Sequence, residues 1–198
     1  MKPQQAPKDR LFEVASRLFY QQGYRSVGVD TLAQQSGIGK MTLYRHYPSK
    51  DDLIVAFLQN SDEEFWGYFE QITGKTSSAR GRLVAFFEGL QAYATAPACF
   101  GCPFLNVATE YPDVDNPGHR VALSHKQVVR GRLLQLANEA GARGPEALAD
   151  GLFLLMDGAY MAARMFGGAP TNPAAHLAGA ARMLIDAHCA PSDRRMGE

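Results

Sequence analysis

Residues 30–53 read Asp-Thr-Leu-Ala-Gln-Gln-Ser-Gly-Ile-Gly-Lys-Met-Thr-Leu-Tyr-Arg-His-Tyr-Pro-Ser-Lys-Asp-Asp-Leu, and this stretch decides the fold. Its first part predicts a short helix over residues 31–36, followed by Gly37 where a helix commonly ends in a left-handed residue. A second helix is predicted over residues 40–47. Pro48 ends it, because proline lacks an amide hydrogen and disfavours helix in the residue before it. Two short helices around a glycine turn indicate a helix-turn-helix.

The residues that flank these helices suggest how the helices begin. Asp30 is expected to be the N-cap of the first helix, with a side-chain oxygen that accepts from first-turn amides. Ser49 is expected to cap the helix after Pro48, and Asp52 takes the capping-box position where Glu or Gln is more usual. Lys50 lies in the first turn of that helix, where a cation opposes the helix dipole. A DNA phosphate would relieve this misfit; the alternative is a solvated surface lysine.

The charge of the chain is unevenly distributed. Residues 1–50 hold eight Lys and Arg against three Asp and Glu, a net charge of +5, whereas residues 51–198 hold twelve against seventeen, a net charge of −5. The basic part coincides with the helix-turn-helix, as the electrostatic footprint of a nucleic-acid binder should. Duplex DNA is therefore the expected partner of the N-terminal part, and the acidic remainder is not expected to touch DNA.

Two segments together resemble a known family. Residues 42–53, and the pattern Leu-Phe-X-X-X-Gly-Tyr at residues 18–24, are similar to the N-terminal DNA-binding domain of the TetR family of bacterial transcriptional regulators. The resemblance implies a three-helix DNA-binding head in residues 1–52 and a helical ligand-binding and dimerisation body in residues 53–198. It implies a ligand-responsive regulator, most often a repressor, that works as a homodimer and is not an enzyme.

The resemblance also assigns DNA contacts by position. Phosphate contacts fall on Thr31, Thr42, Tyr44, His46 and Lys50, and the positions nearest the bases are Gly39, Lys40, Met41 and Arg45. Tyr47 stands where the family more often has phenylalanine. Its ring is expected to pack into the head, with a hydroxyl that could reach a phosphate. Met41 has no hydrogen-bonding group, so base readout there would be apolar, for instance against a thymine methyl.

The rest of the chain has helical periodicity. Apolar residues recur at helical spacing over residues 8–22, 50–72, 79–96, 104–111, 119–140, 146–166 and 172–189. Asn172 is expected to cap the last helix, with Pro173 at its first position. No sustained alternation or hairpin signal competes. An all-α fold of about nine helices and no sheet is predicted.

The last two predicted helices are rich in small residues, which permit close helix approach. One interpretation is a four-helix bundle between two subunits; the other is an ordinary core within one chain. The family resemblance favours the dimer. Its interface is expected to include Leu155, Ala159, Ala162, Phe166, Leu177, Ala181 and Leu184.

The body is also expected to hold a small apolar or aromatic effector, because many aromatics accompany few polar candidates. The expected pocket residues are Trp66, Phe69, Phe86, Phe104, Asn106, Glu110 and Tyr160. Each aromatic alone is more often plain core. Asn106 and Glu110 lie four residues apart on one helical face, where they could polarise a ligand or only pair locally.

Cys99 and Cys102 have the spacing of a redox or metal pair. A structural role is favoured over redox sensing, and zinc comes last, since a thioredoxin-like pair expects a βαβ unit and a zinc site needs four ligands. The rival function is a cytosolic thiol redox protein, or a redox-sensing regulator, built on these two thiols. No catalytic constellation, metal site or cofactor is expected.

The ends of the chain bear on its location. Residues 1–7 lack the apolar core of a signal peptide, and no apolar run has transmembrane length. A cytoplasmic protein with no membrane partner is therefore expected. The first six or seven residues are expected to be a flexible arm, and the tail from about Pro191 is expected to fray.

Overall fold

A computed structural model describes residues 6–189, which form nine α-helices, one short 3-10 helix and no strand. The all-α prediction is therefore confirmed. The expected N-terminal arm and C-terminal tail lie mostly outside the described residues. The helices are α1 (Pro7–Gln22), α2 (Val29–Ser36), α3 (Lys40–His46), α4 (Lys50–Thr73), α5 (Ala79–Ala94), α6 (Pro103–Glu110), α7 (Pro117–Glu139), α8 (Pro145–Phe166) and α9 (Leu177–Cys189).

The end of the chain differs from the prediction in one detail. Residues Pro173–His176 form a 3-10 turn before α9 begins, so the last predicted helix is not α-helical throughout. The expected cap is confirmed, because the side chain of Asn172 accepts from the amide of Ala174 at 2.9 Å. Its side-chain nitrogen donates to the carbonyl of Gly167 at 2.8 Å, which fixes the connection from α8.

The chain divides into two compact units. The first contains residues up to Phe65 together with Cys102–Lys126, and the second contains Trp66–Gly101 together with the residues from Gln127 onward. The division therefore falls inside α4 and α7. The predicted boundary after residue 52, between a DNA-binding head and a ligand-binding body, divides the chain by function and stays a prediction.

The first unit is organised around the α1–α2 loop. Phe19 of α1, Tyr24 of the loop and Phe57 of α4 pack as a triad of rings, with centroids 5.5 to 6.2 Å apart. All three rings are buried, as are Leu32 of α2 and Leu43 of α3. Aromatic packing of this kind holds the three short helices of the head against the start of α4.

In the second unit, α5, α8 and α9 pack closely on one another. Their buried side chains include Leu83, Phe86, Phe87 and Leu90 of α5, Leu152 and Met156 of α8, and Ala181 and Ile185 of α9. Surface ion pairs, such as Arg182 with Glu88 at 2.5 Å, join the same helices at their edges. Exposed pairs of this kind contribute little, so apolar packing holds this unit together. Among the described residues, no helix is both long and apolar enough to cross a membrane.

Candidate nucleic-acid interface

The predicted helix-turn-helix is present. α2 ends at Gly37, whose φ of +67° lies in the left-handed region and lets its amide donate back to the last turn of α2. Gly39 then adopts an extended conformation as the N-cap of α3, and its carbonyl accepts from the amide of Leu43 at 3.1 Å. The two glycines thus turn the chain between the helices.

The cap predicted for α2 was wrong by two residues. The N-cap is Gly28 in an extended conformation, and α2 begins at Val29. Asp30 consequently lies in the first turn, with its side chain mostly exposed. A carboxylate is stabilised there by the helix dipole even though it does not cap.

Helix α3, the second helix of the helix-turn-helix, has one exposed face. Lys40, Met41, Tyr44 and Arg45 are exposed, and their spacing places them on one side of the helix. Leu43, on the other side, is fully buried and anchors α3 to the head. The side chains that the sequence assigned nearest the bases are thus accessible to a DNA groove.

The residues assigned to phosphates are less uniformly exposed. Tyr44 is exposed, whereas Thr31, Thr42, His46 and Lys50 are half-buried. Burial lowers the pKa of Lys50, and the nearby carboxylates of Asp51 and Glu110 oppose that shift. These side chains are thus partly accessible, and their contacts with phosphates stay a prediction.

A capping box at the start of α4 positions Lys50, as predicted. The hydroxyl of Ser49 accepts from the amide of Asp52 at 3.1 Å, and the Asp52 carboxylate accepts from the amide of Ser49 at 2.9 Å. The aspartate is long enough to reciprocate in place of the usual glutamate. Lys50 therefore stands in the first turn of a firmly started helix.

Tyr47 packs into the head, in agreement with the predicted position of its ring. Only 9% of its surface is exposed, and the ammonium of Lys8 lies 5.9 Å from the ring centroid. Burial raises the pKa of the phenol, and the nearby Asp9 adds to the shift. The hydroxyl is therefore neutral at physiological pH, and a phosphate contact from it stays a prediction.

An ion pair that the sequence did not suggest joins α2 to α3. The ammonium of Lys40 contacts the carboxylate of Asp30, and this hydrogen bond and charge raise the pKa of Lys40. The two residues are ten apart across the turn, so no helical spacing rule links them. The only signal was two opposite charges near the N-termini of consecutive helices. In the DNA-free protein, Lys40 is thus held by a carboxylate.

Substituting Asp30 with asparagine should tighten DNA binding. The substitution frees Lys40 and removes a negative charge beside the phosphates. Because an exposed ion pair is weak, we expect only a modest gain, of up to about fivefold for each head. Fluorescence anisotropy titration at two salt concentrations measures the gain. Asp115→Asn is the matched control, since it changes the net charge equally in an exposed loop; weaker binding by Asp30→Asn would contradict the prediction.

Four of the expected pocket residues lie in the second unit. Trp66 is half-buried and its ring lies 5.5 Å from that of Phe69, which in turn lies 5.0 Å from Phe86. The guanidinium of Arg132 lies 5.6 Å from the ring centroid of Phe69. The ring of Tyr160 lies 6.2 Å from that of Tyr93. Trp66, Phe69 and Phe86 therefore form one contiguous aromatic cluster.

The other three expected pocket residues, Phe104, Asn106 and Glu110, lie on α6 in the first unit. Asn106 is half-buried. Phe104 stacks on the ring of His125 with centroids 3.6 Å apart, and Nδ1 of His125 lies 2.5 Å from the carboxylate of Asp62. Burial lowers the pKa of His125, and Asp62 opposes that shift.

For Glu110, the sequence left open a role in polarising a ligand or a purely local pairing. Its two carboxylate oxygens accept from the backbone amides of Tyr24 at 3.0 Å and Arg25 at 2.7 Å. Both oxygens are thus engaged by the α1–α2 loop, and a contact between Glu110 and a ligand stays a prediction. The sequence could not suggest this contact with the loop. The partners are more than eighty residues apart, and the donors are backbone amides, which every residue except proline carries.

The expected dimer residues fall into two groups. Leu155, Ala162 and Leu184 are half-buried and Phe166 is exposed, but Ala159, Leu177 and Ala181 are buried within their own unit. Ala181 is completely buried within its own unit, so a partner could not cover it, whereas Ala159 and Leu177 are almost fully buried but line the groove described below. On the same helices, Leu154 and Met161 are exposed apolar side chains that the sequence analysis missed, and Met165 and Met183 are exposed as well.

A shallow apolar groove of about 240 Å³ runs between α8 and the start of α9. Its lining includes Leu154 and Leu155, with Gly158, Ala162 and Ala180 as small residues that leave space. Small side chains beside exposed large ones form a surface into which another helix can pack.

The cysteine pair gives no support to the redox alternative. Cys99 and Cys102 are both buried, and neither forms a disulfide. Within residues 6–189, no group of three or more histidine, cysteine, aspartate or glutamate side chains is arranged to hold a metal ion.

Comparison with known proteins places this geometry in a family. The profile described as "Bacterial regulatory proteins, tetR family" matches residues 11–57, and that described as "Tetracyclin repressor-like, C-terminal domain" matches residues 79–178. A TetR-family transcriptional regulator from Streptomyces coelicolor is 30% identical, with a TM-score of 0.82 over 91% of this chain and 93% of that chain. The structure of sav143 from Streptomyces avermitilis is 32% identical, with a TM-score of 0.82 over 93% of this chain and 98% of that one.

Curated relatives match over only part of this chain. The HTH-type transcriptional activator FasR of Mycolicibacterium smegmatis is 33% identical over 86 residues, which are 43% of this chain and 39% of that protein. A Staphylococcus aureus HTH-type transcriptional regulator is 35% identical over 65 residues, 33% of this chain and 35% of its own length. The chain thus aligns with well under half the length of these relatives.

Proposed function

Because this chain belongs to the TetR family of bacterial transcriptional regulators, we propose that it is a homodimeric repressor that a small effector releases from its operator. The observation that carries the proposal is the exposed face of α3. Lys40, Tyr44 and Arg45 project from a short helix on a basic head, beside a methionine that is 85% exposed. An exposed methionine is costly in water and suits an apolar contact with a thymine methyl.

Two kinds of contact with DNA have different roles in the proposed complex. Phosphate neutralisation by Lys50 and other cations supplies affinity through counterion release, and Tyr44 adds a hydrogen bond to phosphate. Lys40 and Arg45 supply specificity by contacting base edges. A helix-turn-helix dimer reads two half-sites about 34–36 Å apart, or multiples of that distance. Repression then follows if the operator overlaps a promoter.

The exposed face of α8 and α9 supports the dimer. Leu154, Met165 and Met183 are each at least 70% exposed in the single chain. Such a group of large apolar side chains beside an apolar groove is characteristic of a subunit interface. A second copy of the chain is the occupant proposed for it, with the two-fold symmetry that places one head on each half-site.

The aromatic cluster of Trp66, Phe69 and Phe86 supports an apolar or aromatic effector. Phe69 and Phe86 are almost fully buried and Trp66 is half-buried, so a planar ligand would meet Trp66 first. An effector that binds the DNA-free conformation more tightly lowers operator occupancy by linkage, and DNA weakens effector binding by the same factor.

A salt-dependent gel shift on the DNA upstream of the protein's own gene tests the proposed function. We expect saturable binding that weakens steeply with salt, and release by at least one member of a panel of small aromatic and apolar compounds. Trp66 is the only tryptophan, so its emission should change with that same compound. If no DNA fragment is bound above the level of random duplex, the regulatory proposal fails. If oxidant releases DNA and no compound does, the thiol alternative replaces the pocket.

A further inference from the structure

Helix α6 is attached at both of its ends to the loop that joins α1 to α2. At its N-terminus, the hydroxyl of Tyr24 donates to the carbonyl oxygen of Pro103 at 2.9 Å. At its C-terminus, the carboxylate of Glu110 accepts from the amides of Tyr24 and Arg25. One loop residue, Tyr24, therefore bonds to both ends of a helix that is eight residues long.

The fit at the C-terminal end is close. Gly23 has a φ of +91°, and a Cβ at this position would lie 2.6 Å from Oε1 of Glu110. The carboxylate thus lies directly against the backbone, in space that only a glycine leaves open. Arg25 adds a further contact, with its guanidinium 5.1 Å from the ring of Tyr111, the residue after Glu110.

The loop held in this way leads directly into the DNA-binding helices. Gly28, which caps α2, lies only three residues beyond Arg25. Tyr24 is fully buried against Phe19 and Phe57, so its backbone position is tied to the core of the head. Hydrogen bonds from backbone amides to a carboxylate are charge-assisted and stronger than bonds between neutral groups.

We propose that Glu110 is a positioning residue for DNA binding, which fixes the α1–α2 loop against α6 and thereby sets the orientation of α2 and α3. The proposal rests on the proposed DNA-binding function and adds to it a residue outside the helix-turn-helix. Glu110 does not touch DNA in this role. It acts through the amides of Tyr24 and Arg25.

Substituting Glu110 with glutamine tests whether the hydrogen bonds of this side chain, and not only its volume, position the loop. The two loop amides are both donors, and a glutamine side chain offers them one oxygen and one NH₂ group. One amide would then face another donor, so at least one hydrogen bond is lost while the side-chain volume is kept. Thr109→Ala is the matched control on the same helix, because the Thr109 hydroxyl bonds only to the carbonyl of Leu105 in its own helix.

The experiment measures the affinity for the DNA fragment identified in the gel shift, together with amide hydrogen exchange at Tyr24 and Arg25. For Glu110→Gln we expect about tenfold weaker DNA binding and faster exchange at these two amides, with an unchanged salt slope because no phosphate contact is removed. Thr109→Ala should match the wild type in both measurements.

Equal DNA affinity of a folded Glu110→Gln variant and the wild type would overturn the inference. Failure of the wild-type protein to bind would instead overturn the proposed function. If Glu110→Gln does not fold, Tyr24→Phe decides, since it removes the hydrogen bond to Pro103 and keeps the buried ring. We then expect about twofold to fivefold weaker binding, and wild-type affinity would count against the proposal.

Discussion

Replacing Leu154 with glutamate is expected to yield a folded monomer whose operator affinity is at least about 100-fold lower than that of the wild type. Leu154 is 70% exposed in the single chain and lines the groove between α8 and α9. A glutamate there is solvated in the monomer, so the fold is preserved. In the dimer the same carboxylate would be buried against apolar side chains without a partner, which is strongly unfavourable.

The size of the effect follows from linking two heads. In a dimer, the second head binds its half-site as an intramolecular event, and the avidity can exceed the affinity of one head by 10²–10⁴. A monomer loses this gain while every side chain on α3 is unchanged. Its binding should also show a salt slope of about half the wild-type value, because half as many phosphates are neutralised.

Two further glutamate substitutions make the result specific to this face. Leu123 is 51% exposed on α7 and is not among the residues assigned to the interface, so Leu123→Glu should remain a dimer that binds DNA normally. Ala181 is completely buried among α5, α8 and α9, so Ala181→Glu should unfold the second unit. Sedimentation velocity, circular dichroism and DNA titration distinguish the three outcomes. A stable dimer of Leu154→Glu would exclude this face as the interface.

The contrast between Leu154 and Ala181 also marks a limit of sequence-based prediction. Periodicity identifies a helix face that is apolar, but both an internal core and a subunit interface satisfy that pattern. On α8 and α9 small residues lie on both faces, so the sequence analysis assigned the buried Ala181 to the interface and overlooked the exposed Leu154. Only packing in three dimensions separates the two.

The helix-turn-helix was predictable because its signals are local. Gly37 needs a left-handed conformation, Pro48 ends a helix, and Ser49 with Asp52 starts one; each acts within four residues in sequence. The ion pair of Lys40 with Asp30 and the hydrogen bonds of Glu110 to the α1–α2 loop join residues that no local rule connects. Even the cap of α2 was misplaced, because Gly28 and Asp30 both favour a helix start and the choice depends on where Asp30 finds a partner.

Substituting Arg45 with alanine is expected to reduce sharply the preference for the operator over random DNA. Arg45 is exposed in the last turn of α3, on the face with Lys40, Met41 and Tyr44. An arginine that contacts a guanine with two hydrogen bonds contributes about 1–3 kcal/mol of discrimination. Because the dimer carries two such residues, the specific affinity should fall by about 2–6 kcal/mol, whereas binding to random duplex should change little.

Lys50→Ala is the matched control. It removes one positive charge, as Arg45→Ala does, but from a residue that is assigned to phosphate and not to a base. It should weaken binding to operator and random DNA about equally, and it should lower the salt slope by about 1 for each head. Titrations of both variants against operator and random duplex, each over a range of salt concentrations, give the four affinities and slopes that are needed. If Arg45→Ala weakens both duplexes equally and lowers the slope as Lys50→Ala does, Arg45 contacts phosphate, and base readout must come from Lys40 and Met41.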